Sequence, residues 1–451
     1  MQTIFGTDGI RGKYNKEITY LLACKIGFAF GKNLKSQGPI LIGRDTRLSG
    51  QSLMDGLIKG INAANQEAID IGICPTPAIP CLVKELCLSG GIMISASHNP
   101  PEYNGIKLFD MDGRKIQRQQ ENIIEKDIKQ INDDYFLGNI SIKFDQKLEL
   151  LEIYEQTLLK SIGANDLNGL KIVLDTCHGS ATSCAEKIFK RLGAKTFVIN
   201  DIPDGSKINV NCGSTFLKPL KKAIDEYQAD MGFSFDGDAD RVIGVDSFGN
   251  VMDGDHILFL WGRELLGENK LSNKLLISTV MANLGFEKAW NNLGGILFRT
   301  EVGDKFIYKE LSRQKAQLGG EQSGHILSNI NNYSGDGILT ALQISNYCKM
   351  KQINLNQWLN TSFSPYPQKL TNLPLPFKIK TLNSSLKRSI DLIINQTLDK
   401  TLDHCRIFVR PSGTEPFLRI LVEAEHEDLV KEYSNIMKDE LEEVIRNRFN
   451  C

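Results

Sequence analysis

The sequence lacks the features that would direct it to a polyanion or a membrane. Its formal net charge is −1, from 53 Lys and Arg against 54 Asp and Glu, so no excess of basic residues is available to attract nucleic acid. No apolar run approaches the ~18 residues of a membrane-spanning helix. The first residues enter a glycine-rich motif at once, which leaves no room for a signal peptide. We therefore predict a cytoplasmic protein with no nucleic-acid and no membrane partner.

The chain also lacks paired cysteines. Its ten cysteines are scattered along the sequence without a CxxC motif, and many stand in apolar surroundings. Free cysteine behaves as a small hydrophobic residue, and disulfides are rare in reducing compartments. We expect reduced cysteines that pack in the core.

The order of apolar segments predicts several α/β domains. A chain of 451 residues is too long for one compact core, and about three or four domains are expected. Short apolar strands alternate with amphipathic helices, which favours largely parallel sheets. The pattern restarts near Gly169 and again near Val251. The Pro-rich stretch Ser362–Leu375 is typical of a linker, and the tail has two strands followed by a long amphipathic helix.

Three aspartates at alternate positions form the most informative motif. Asp236, Asp238 and Asp240 lie in the run Asp-Gly-Asp-Ala-Asp-Arg, between two short apolar segments. Alternate residues of an extended segment point to one side, and close carboxylates are unfavourable without a cation. Oxygen-only ligation suits Mg²⁺. An EF-hand is excluded because Ser247 stands where that loop requires its bidentate Glu.

A serine loop follows the apolar run Gly91–Ile94. It reads Ser-Ala-Ser-His-Asn-Pro and ends at Pro100. A serine at the end of a strand, next to His98 and Asn99, is well placed to carry a phosphoryl group. A Ser–His hydrolase is less favoured, since no G-x-S-x-G elbow is present and an adjacent His is not expected to fold back onto its neighbour as a base. A capping turn remains an alternative.

Two further loops carry groups that suit a sugar phosphate. In Arg-Pro-Ser-Gly-Thr-Glu-Pro a guanidinium, two hydroxyls and a backbone amide can bind a dianionic phosphate. These groups belong to Arg410, Ser412, Gly413 and Thr414, and Arg419 lies within reach of the same anion. An ordinary turn with capping hydroxyls is the alternative.

The second of these loops is Gly-Gly-Glu-Gln-Ser-Gly-His. Glu321 and Ser323 alternate, so they are predicted to face one side and bind two sugar hydroxyls, and His325 can move a proton. A structural His on a glycine turn is the alternative.

Two basic, glycine-rich loops and one lysine are weaker signals. The loops are Phe5–Gly12, which contains Arg11, and Ile42–Arg47. Lys107 follows the serine loop and is a candidate proton donor or acceptor, with a solvated surface charge as the alternative reading.

Together these motifs resemble the α-D-phosphohexomutase family. The serine loop, the aspartate loop, the Glu-Gln-Ser-Gly-His loop and the Arg-Pro-Ser-Gly-Thr-Glu-Pro loop stand in the family's order across the whole chain. The resemblance implies three similar α/β domains with mixed sheets and a smaller C-terminal α+β domain, with the active site in the central cleft. The corresponding boundaries are 1–150, 151–250, 251–365 and 366–451.

The resemblance also implies roles for single residues. Ser97 is expected to be the phosphoserine, and its phosphate is expected to share one Mg²⁺ per subunit with Asp236, Asp238 and Asp240. Arg241 is expected to bind the phosphoryl oxygens. The candidates for proton transfer are, in order, Lys107, His325 and Arg11. The partner is a small-molecule sugar phosphate; a homodimer is compatible with this, although the sequence gives no oligomeric state.

Within the family, the opening Phe-Gly-Thr-Asp-Gly-Ile-Arg-Gly and Gln322 resemble the branch that interconverts glucosamine 6-phosphate and glucosamine 1-phosphate. That reaction proceeds through glucosamine 1,6-bisphosphate, which also primes the serine, and it supplies UDP-N-acetylglucosamine and cell-wall precursor synthesis. Phosphomannomutases and phosphoglucomutases, the alternative, tend to carry Met or Glu where Gln322 stands. Phe216 departs from the His that relatives often have. A non-catalytic sugar-phosphate-binding regulator and a metal-dependent phosphatase are alternatives of other classes.

Overall fold

A computed structural model describes most of the chain. The described residues are 4–6, 8–36, 38–136, 138, 142–329, 334–376, 382–399, 405–412 and 416–449, with the side chains of 448–449 left out. The chain divides into two compact units. The large unit comprises Met1–Met281 and Gly295–Ser362, and the small unit comprises Ala282–Gly294 and Phe363–Cys451.

The first sheet of the large unit is mixed and has the order β1-β5-β4-β2-β3-β6. Its strands are β1 (Ile10–Lys13), β2 (Ile40–Arg44), β3 (Ala68–Ile73), β4 (Gly90–Ile94), β5 (Tyr103–Phe109) and β6 (Asp145–Gln146). Its helices are α1 (Tyr20–Lys32), α2 (Gly50–Ala63), α3 (Ala78–Glu85) and α4 (Arg118–Gln130). Helices α1 and α2 pack backbone against backbone, because a Cβ at Gly60 would lie 2.0 Å from the Cys24 carbonyl oxygen.

The second sheet is also mixed, with the order β11-β10-β9-β7-β8. Its strands are β7 (Lys171–Asp175), β8 (Lys195–Ile199), β9 (Met231–Phe235), β10 (Val242–Asp246) and β11 (Val251–Met252). Helices α5 (Leu151–Lys160), α6 (Ala185–Arg191) and α7 (Lys218–Tyr227) accompany it. Strands β9 and β10 form an antiparallel pair, so the segment that joins them is a hairpin loop at the end of a buried strand.

The third sheet has the order β13-β12-β14-β15 and mixes parallel with antiparallel pairs. Its strands are β12 (Leu275–Thr279), β13 (Ile296–Thr300), β14 (Leu318–Gly320) and β15 (Ile326–Ser328). The helices of this part of the chain are α8 (Gly254–Gly267), α9 (Leu284–Asn292), α10 (Asp304–Gln314), α11 (Gly337–Lys351) and α12 (Leu355–Asn360). Of these, α9 lies in the small unit.

The small unit contains an antiparallel sheet of order β16-β18-β17. Its strands are β16 (Gln368–Pro374), β17 (Cys405–Pro411) and β18 (Phe417–Ala424), with helices α13 (Ser384–Leu398) and α14 (Glu427–Phe449). The apolar stripe predicted on the last helix packs with the sheet in one core, where Met437 and Leu441 are fully buried. The α+β tail and the mixed sheets are thus confirmed.

One prediction from the Pro-rich stretch is wrong. Residues 362–375 are not a linker throughout, because 368–374 form β16. Among the residues that the structure describes, this strand is at the edge of its sheet and pairs with β18 alone. An edge strand tolerates proline, since one side of its backbone needs no ladder hydrogen bond.

The prediction that the cysteines pack in the core is confirmed for eight of the nine described cysteines and is wrong for Cys87. All nine are free thiols, eight of them buried, with Cys87 exposed. In the described part of the chain, no helix combines the length and the apolar character that crossing a membrane would need.

Candidate active site

The aspartate loop joins β9 to β10, and its three carboxylates converge. One ligand oxygen from each of Asp236, Asp238 and Asp240 lies within 4.8 Å of the others, and all three residues are buried. The backbone is not the extended segment that the alternation suggested. It turns, with Ala239 at φ 56° and the Ala239 amide donating to the Asp236 carbonyl at 3.1 Å. The predicted convergence is therefore achieved by a tight turn.

The charges of this loop favour a cation. Burial, with Asp240 and Asp238 close by, raises the pKa of Asp236 well above its ordinary value. Asp238 Oδ1 is buried and has no hydrogen-bond partner among the described residues. An unpaired buried carboxylate oxygen is costly, and oxygen-only donors suit a hard divalent ion. The residues present therefore fit a Mg²⁺ site.

The serine loop meets the aspartate loop directly. Ser97 is fully buried, has the left-handed φ of 53°, and donates its hydroxyl to Asp236 Oδ2 at 2.6 Å. The two residues are 139 positions apart in the chain. The structure thus brings the predicted phosphoserine onto one of the predicted metal ligands.

The expectation about His98 is wrong. Its Nδ1 lies 3.2 Å from Ser97 Oγ, so the adjacent imidazole does fold back onto the serine. Burial, together with the positive charges of Arg241 and Arg11, lowers the pKa of His98 to about 4. The left-handed backbone at Ser97 makes this contact possible, because it turns the chain sharply between the two residues.

Lys107 belongs to the site and is not a surface charge. It lies on β5 with 1% exposure, and its Nζ donates at 2.8 Å to Asp238 Oδ2 and at 2.8 Å to Asp240 Oδ2. Burial alone would lower the pKa of Lys107, but the carboxylates of Asp238, Asp240 and Asp8 outweigh it and raise that pKa well above its ordinary value. The ammonium group balances much of the negative charge of the loop.

Arg11 lies in a second ring of charge around the same loop. It pairs with Asp8, which also lies 3.2 Å from Lys107 Nζ. Lys115 joins this ring by bridging Asp8 and Asp304. Burial would raise the pKa of Asp8, but Lys107, Lys115 and Arg11 bring it well below its ordinary value.

The Glu-Gln-Ser-Gly-His loop is the turn between β14 and β15. Glu321 Oε1 accepts from the Gly303 amide at 3.2 Å, and Ser323 is exposed. Gly324 has φ 87°, and a Cβ there would lie 2.1 Å from the Val242 carbonyl oxygen, so this turn packs on the first residue of β10. The placement of the sugar loop beside the aspartate loop follows from this close contact.

His325 faces the aspartates from the sugar loop. Its Nδ1 lies 3.3 Å from Asp240 Oδ1 and its Nε2 lies 3.6 Å from Asp304 Oδ2. Burial would lower the pKa of His325, but the two carboxylates outweigh it and the pKa is raised. Arg241 completes this side: its amide donates to Asp236 Oδ1 at 3.2 Å, and its Nε lies 3.8 Å from Asp240 Oδ1.

Two residues of the predicted phosphate site lie on neighbouring strands of the small unit, Arg410 in β17 and Arg419 in β18. Arg410 stands directly opposite Arg419 in the strand pair. Burial and the neighbouring Arg419 lower the pKa of Arg410, and like charges that face each other in a sheet are destabilising without an anion. Ser412 is buried and donates its amide to the Phe417 carbonyl at 2.8 Å. Gly413 and Thr414 lie outside the described residues.

Models of a known family match almost the whole chain. The domains of phosphoglucomutase/phosphomannomutase match in order: α/β/α domain I over residues 2–134, domain II over 152–249, domain III over 253–366 and the C-terminal domain over 369–440. The chain belongs to this family.

Curated relatives and solved structures of the family agree with this assignment. A phosphoglucosamine mutase of Prochlorococcus marinus (strain MIT 9312) is 59% identical over 98% of both chains. A phosphoglucosamine mutase of a Synechococcus species is 46% identical over 94% of this chain and 92% of its own. A phosphoglucomutase/phosphomannomutase family protein of Burkholderia thailandensis has the same fold, with a TM-score of 0.80, 24% identity and coverage of 98% and 97%.

The site of this family member contains residues that the sequence did not single out. Thr76 donates its hydroxyl to Asp238 Oδ2 at 2.5 Å, and Asp8, Lys115 and Asp304 form the outer ring of charge. Asp8 stands inside the opening Phe-Gly-Thr-Asp-Gly motif, so that motif could have identified it as a candidate site residue. Thr76 and Asp304 stand in ordinary sequence and carry no comparable signal.

Proposed function

We propose that the chain is a phosphoglucosamine mutase that interconverts glucosamine 6-phosphate and glucosamine 1-phosphate. The observation that carries this is the contact of Ser97 Oγ with Asp236 Oδ2 at 2.6 Å, inside a buried carboxylate cluster that fits Mg²⁺. The relatives named phosphoglucosamine mutase supply the substrate class. The product would supply UDP-N-acetylglucosamine and cell-wall precursor synthesis.

Phosphoryl transfer at Ser97 is the proposed chemistry. The 1-hydroxyl oxygen of glucosamine 6-phosphate attacks the phosphorus of phospho-Ser97, and the bond from phosphorus to Ser97 Oγ breaks. The proton of the 1-hydroxyl passes to a proton-transfer group of the site, and Ser97 Oγ takes up a proton as it leaves. Glucosamine 1,6-bisphosphate is formed and turns around. Its 6-phosphoryl group then returns to Ser97 Oγ, and glucosamine 1-phosphate leaves. The same bisphosphate would prime an unphosphorylated serine.

The carboxylates of Asp236, Asp238 and Asp240 would hold Mg²⁺ together with an oxygen of phospho-Ser97. When bound, the ion supplies Lewis-acid polarisation of the phosphoryl group and neutralises its charge. The chain's own contribution is orientation: the buried loop fixes Ser97 Oγ beside the carboxylates, and Arg241 stands where it can bind a phosphoryl oxygen. Preorganised charge of this kind is the main means of catalysing phosphoryl transfer.

Proton transfer is assigned to Lys107 first and His325 second, whereas the third-ranked candidate of the sequence analysis, Arg11, is assigned a different role. Lys107 ranks first because its ammonium group touches two of the metal-site aspartates at 2.8 Å and can give a proton to the leaving Ser97 oxygen. His325 stands beside Asp240 at 3.3 Å. Arg11 is held by Asp8 and is the candidate for orienting a phosphate rather than exchanging a proton, since arginine does not deprotonate in proteins.

The remaining substrate contacts are proposals. Glu321 and Ser323 are assigned to two sugar hydroxyls. The distant phosphate is assigned to the loop of Arg410, Ser412, Gly413 and Thr414, with Arg419. The facing pair Arg410 and Arg419 supports an anion site there, because a bound dianion would relieve the repulsion. We retain the domain boundaries 1–150, 151–250, 251–365 and 366–451 as part of the proposal.

The test replaces Ser97 with Ala and measures the interconversion of the two glucosamine phosphates, with intact-mass detection of protein-bound phosphate. We expect turnover to be lost and the phosphorylated species to disappear. Ser206→Ala is the matched control, because that serine is exposed and bonds only to Asp204 in the same turn. Near-wild-type turnover of the Ser97 variant would remove the phosphoserine assignment.

The substrate is tested separately. The ratio kcat/KM on glucosamine, glucose and mannose 6-phosphates should be highest for glucosamine 6-phosphate. A higher value for either of the other two would make the protein a phosphoglucomutase or phosphomannomutase instead. Steady release of inorganic phosphate would indicate a phosphatase, which a mutase should not show.

A further inference from the structure

Arg47 is the buried end of the basic loop Gly-Arg-Asp-Thr-Arg, which carried little weight in the sequence. The residue is 1% exposed, so its guanidinium group is shielded from solvent. Its Nε donates to Asp45 Oδ2 at 2.9 Å. Burying a guanidinium group is costly unless its charge is paired and its N–H groups are bonded. The acceptors of its remaining N–H groups therefore indicate the role of Arg47.

Three of the four remaining side-chain donors of Arg47 bind carbonyls of the serine loop, and the fourth binds the first residue of β5. Nη2 donates to the carbonyl of Ser97 at 2.9 Å and to that of Asn99 at 2.7 Å. Nη1 donates to the carbonyls of Pro100 at 2.5 Å and Tyr103 at 2.8 Å. A guanidinium has five N–H donors and no acceptor. The Asp45 carboxylate and these four carbonyls together accept a hydrogen bond from each of the five N–H groups of Arg47.

The partner of Arg47 holds the other side of the same serine. Asp45 Oδ2 also accepts the Ser95 hydroxyl at 2.6 Å, and Ser95 Oγ accepts the Ser97 amide at 2.9 Å. The amide and the carbonyl of Ser97 are therefore both fixed through one ion pair. A left-handed residue other than glycine is strained and persists only where its surroundings hold it, and Ser97 has φ 53°.

A second side chain, that of Asn209 in the segment that matches domain II, binds two of the same carbonyls. We call the hydrogen bonds from Arg47 and Asn209 to the serine loop the clamp. Asn209 Nδ2 donates to the Ser97 carbonyl at 2.8 Å and to the Asn99 carbonyl at 3.0 Å. Each of these two carbonyls thus receives one bond from Arg47 and one from Asn209. Both lone pairs of each carbonyl oxygen therefore accept a hydrogen bond, which fixes the orientation of that carbonyl group.

We propose that Arg47 is a positioning residue that sets the backbone of Ser97 for phosphoryl transfer, with Asp45 as its anchor and Asn209 as a second support. The proposal rests on the proposed function of Ser97. Arg47 acts through the backbone of the loop, so its loss should slow transfer at Ser97 and leave the binding of the sugar phosphate unchanged.

Arg47→Lys is the informative variant. A lysine keeps the charge but has three donors in place of five, so at least two of the five acceptors lose their partner. A misplacement of about 1 Å at a reacting group can cost on the order of 100-fold in rate. We expect kcat to fall by about 10- to 100-fold and KM for glucosamine 6-phosphate to stay within about twofold. The rate at which glucosamine 1,6-bisphosphate phosphorylates Ser97, followed by intact mass, should fall in parallel.

Arg44→Lys is the matched control from the same motif. The side chain of Arg44 makes one long hydrogen bond, from Nη1 to the Asp45 carbonyl at 3.4 Å. In the described part of the chain it makes none to the serine loop, so kcat should be unchanged. A merely structural role for Arg47 would lower the melting temperature and the yield of folded protein while leaving kcat per folded molecule at the wild-type value. That result would overturn the proposal.

Asn209→Ala keeps the test decisive if the lysine variant does not fold. It removes one of two donors from each carbonyl, so a smaller fall in kcat with unchanged KM is expected, and an unchanged kcat would overturn the proposal. Wild-type protein that fails to turn over glucosamine 6-phosphate would contradict the proposed function. An active wild type with an equally active, folded Arg47→Lys variant would contradict only the clamp.

Discussion

Gly237, inside the aspartate loop, is the position where a single methyl group should separate the aspartate loop from the serine loop. A Cβ built at Gly237 lies 2.7 Å from the Ser97 carbonyl oxygen, 2.8 Å from Ile208 Cδ1 and 3.0 Å from Asn209 Nδ2. Ordinary van der Waals contact begins at 3.4 Å. In Gly237→Ala the closest pair must therefore move from 2.7 to 3.4 Å, and both of the polar neighbours belong to the clamp on Ser97.

The magnitude follows from that movement. Ser97 Oγ and Asp236 Oδ2 lie 2.6 Å apart. A shift of several tenths of an ångström between the two loops would stretch this hydrogen bond beyond its normal length. We expect kcat to fall by about 10- to 100-fold, as for misplacement of a reacting group. Overpacking a buried site also costs about 1–3 kcal/mol of folding free energy. The assays are mutase turnover at saturating glucosamine 6-phosphate and Mg²⁺, and thermal unfolding.

Gly267→Ala is the matched control. Gly267 ends α8, and a Cβ there meets nothing within 4 Å, so turnover should not change and stability should be equal or slightly higher. Wild-type turnover and melting temperature in Gly237→Ala would refute the described packing of the serine loop on the aspartate loop.

Two further predictions concern the metal site and the thiols. Asp238→Asn should raise the Mg²⁺ concentration for half-maximal activity by at least about tenfold, because it removes one of the three carboxylates that we propose hold the ion. A Mg²⁺ titration with an unchanged midpoint would remove Asp238 from the proposed site. In the native protein, a thiol reagent should modify Cys87 first among the nine described cysteines, because Cys87 is the exposed one; peptide mass analysis identifies the labelled site. Burial raises the pKa of Cys24, for comparison, to about 11, which leaves little reactive thiolate. Equal labelling of buried cysteines and Cys87 without denaturant would contradict the packing.

Local patterns in the sequence predicted the elements but not their partners. The strands on both sides of the aspartate loop and the amphipathic last helix are visible as apolar runs with the right period. The contact of Lys107 with Asp238 spans 131 residues, and no periodicity reports it. From its neighbours in sequence alone, a single lysine is expected to be a solvated surface charge. Only the folded sheet, which turns that face of β5 toward the aspartates, makes it a buried ion pair.

The aspartate loop shows a correct prediction with an incomplete physical reason. Alternating carboxylates were expected to converge because an extended chain alternates its side chains. They converge because the chain turns at Ala239. The spacing of the three aspartates was enough to predict that their carboxylates lie close together, because any turn of a loop this short keeps them near one another. The backbone path was not encoded in the same pattern, because alanine has no preference for left-handed φ.

Left-handed residues other than glycine mark the loops that build this site. They include Ser97 at φ 53°, Ala239 at φ 56° and Asn209 at φ 60°. Each costs of order 1–3 kcal/mol if it is strained, and such strain persists only where neighbours over-determine it. Asparagine tolerates this region, whereas serine and alanine do not favour it. The clamp of Arg47 and Asn209 on the Ser97 carbonyl supplies that over-determination. The same bonds that hold the unfavourable backbone also hold Ser97 Oγ at 2.6 Å from Asp236. If Ser97 carries the phosphoryl group as proposed, the stability of the loop and the position of its reacting oxygen have one physical origin.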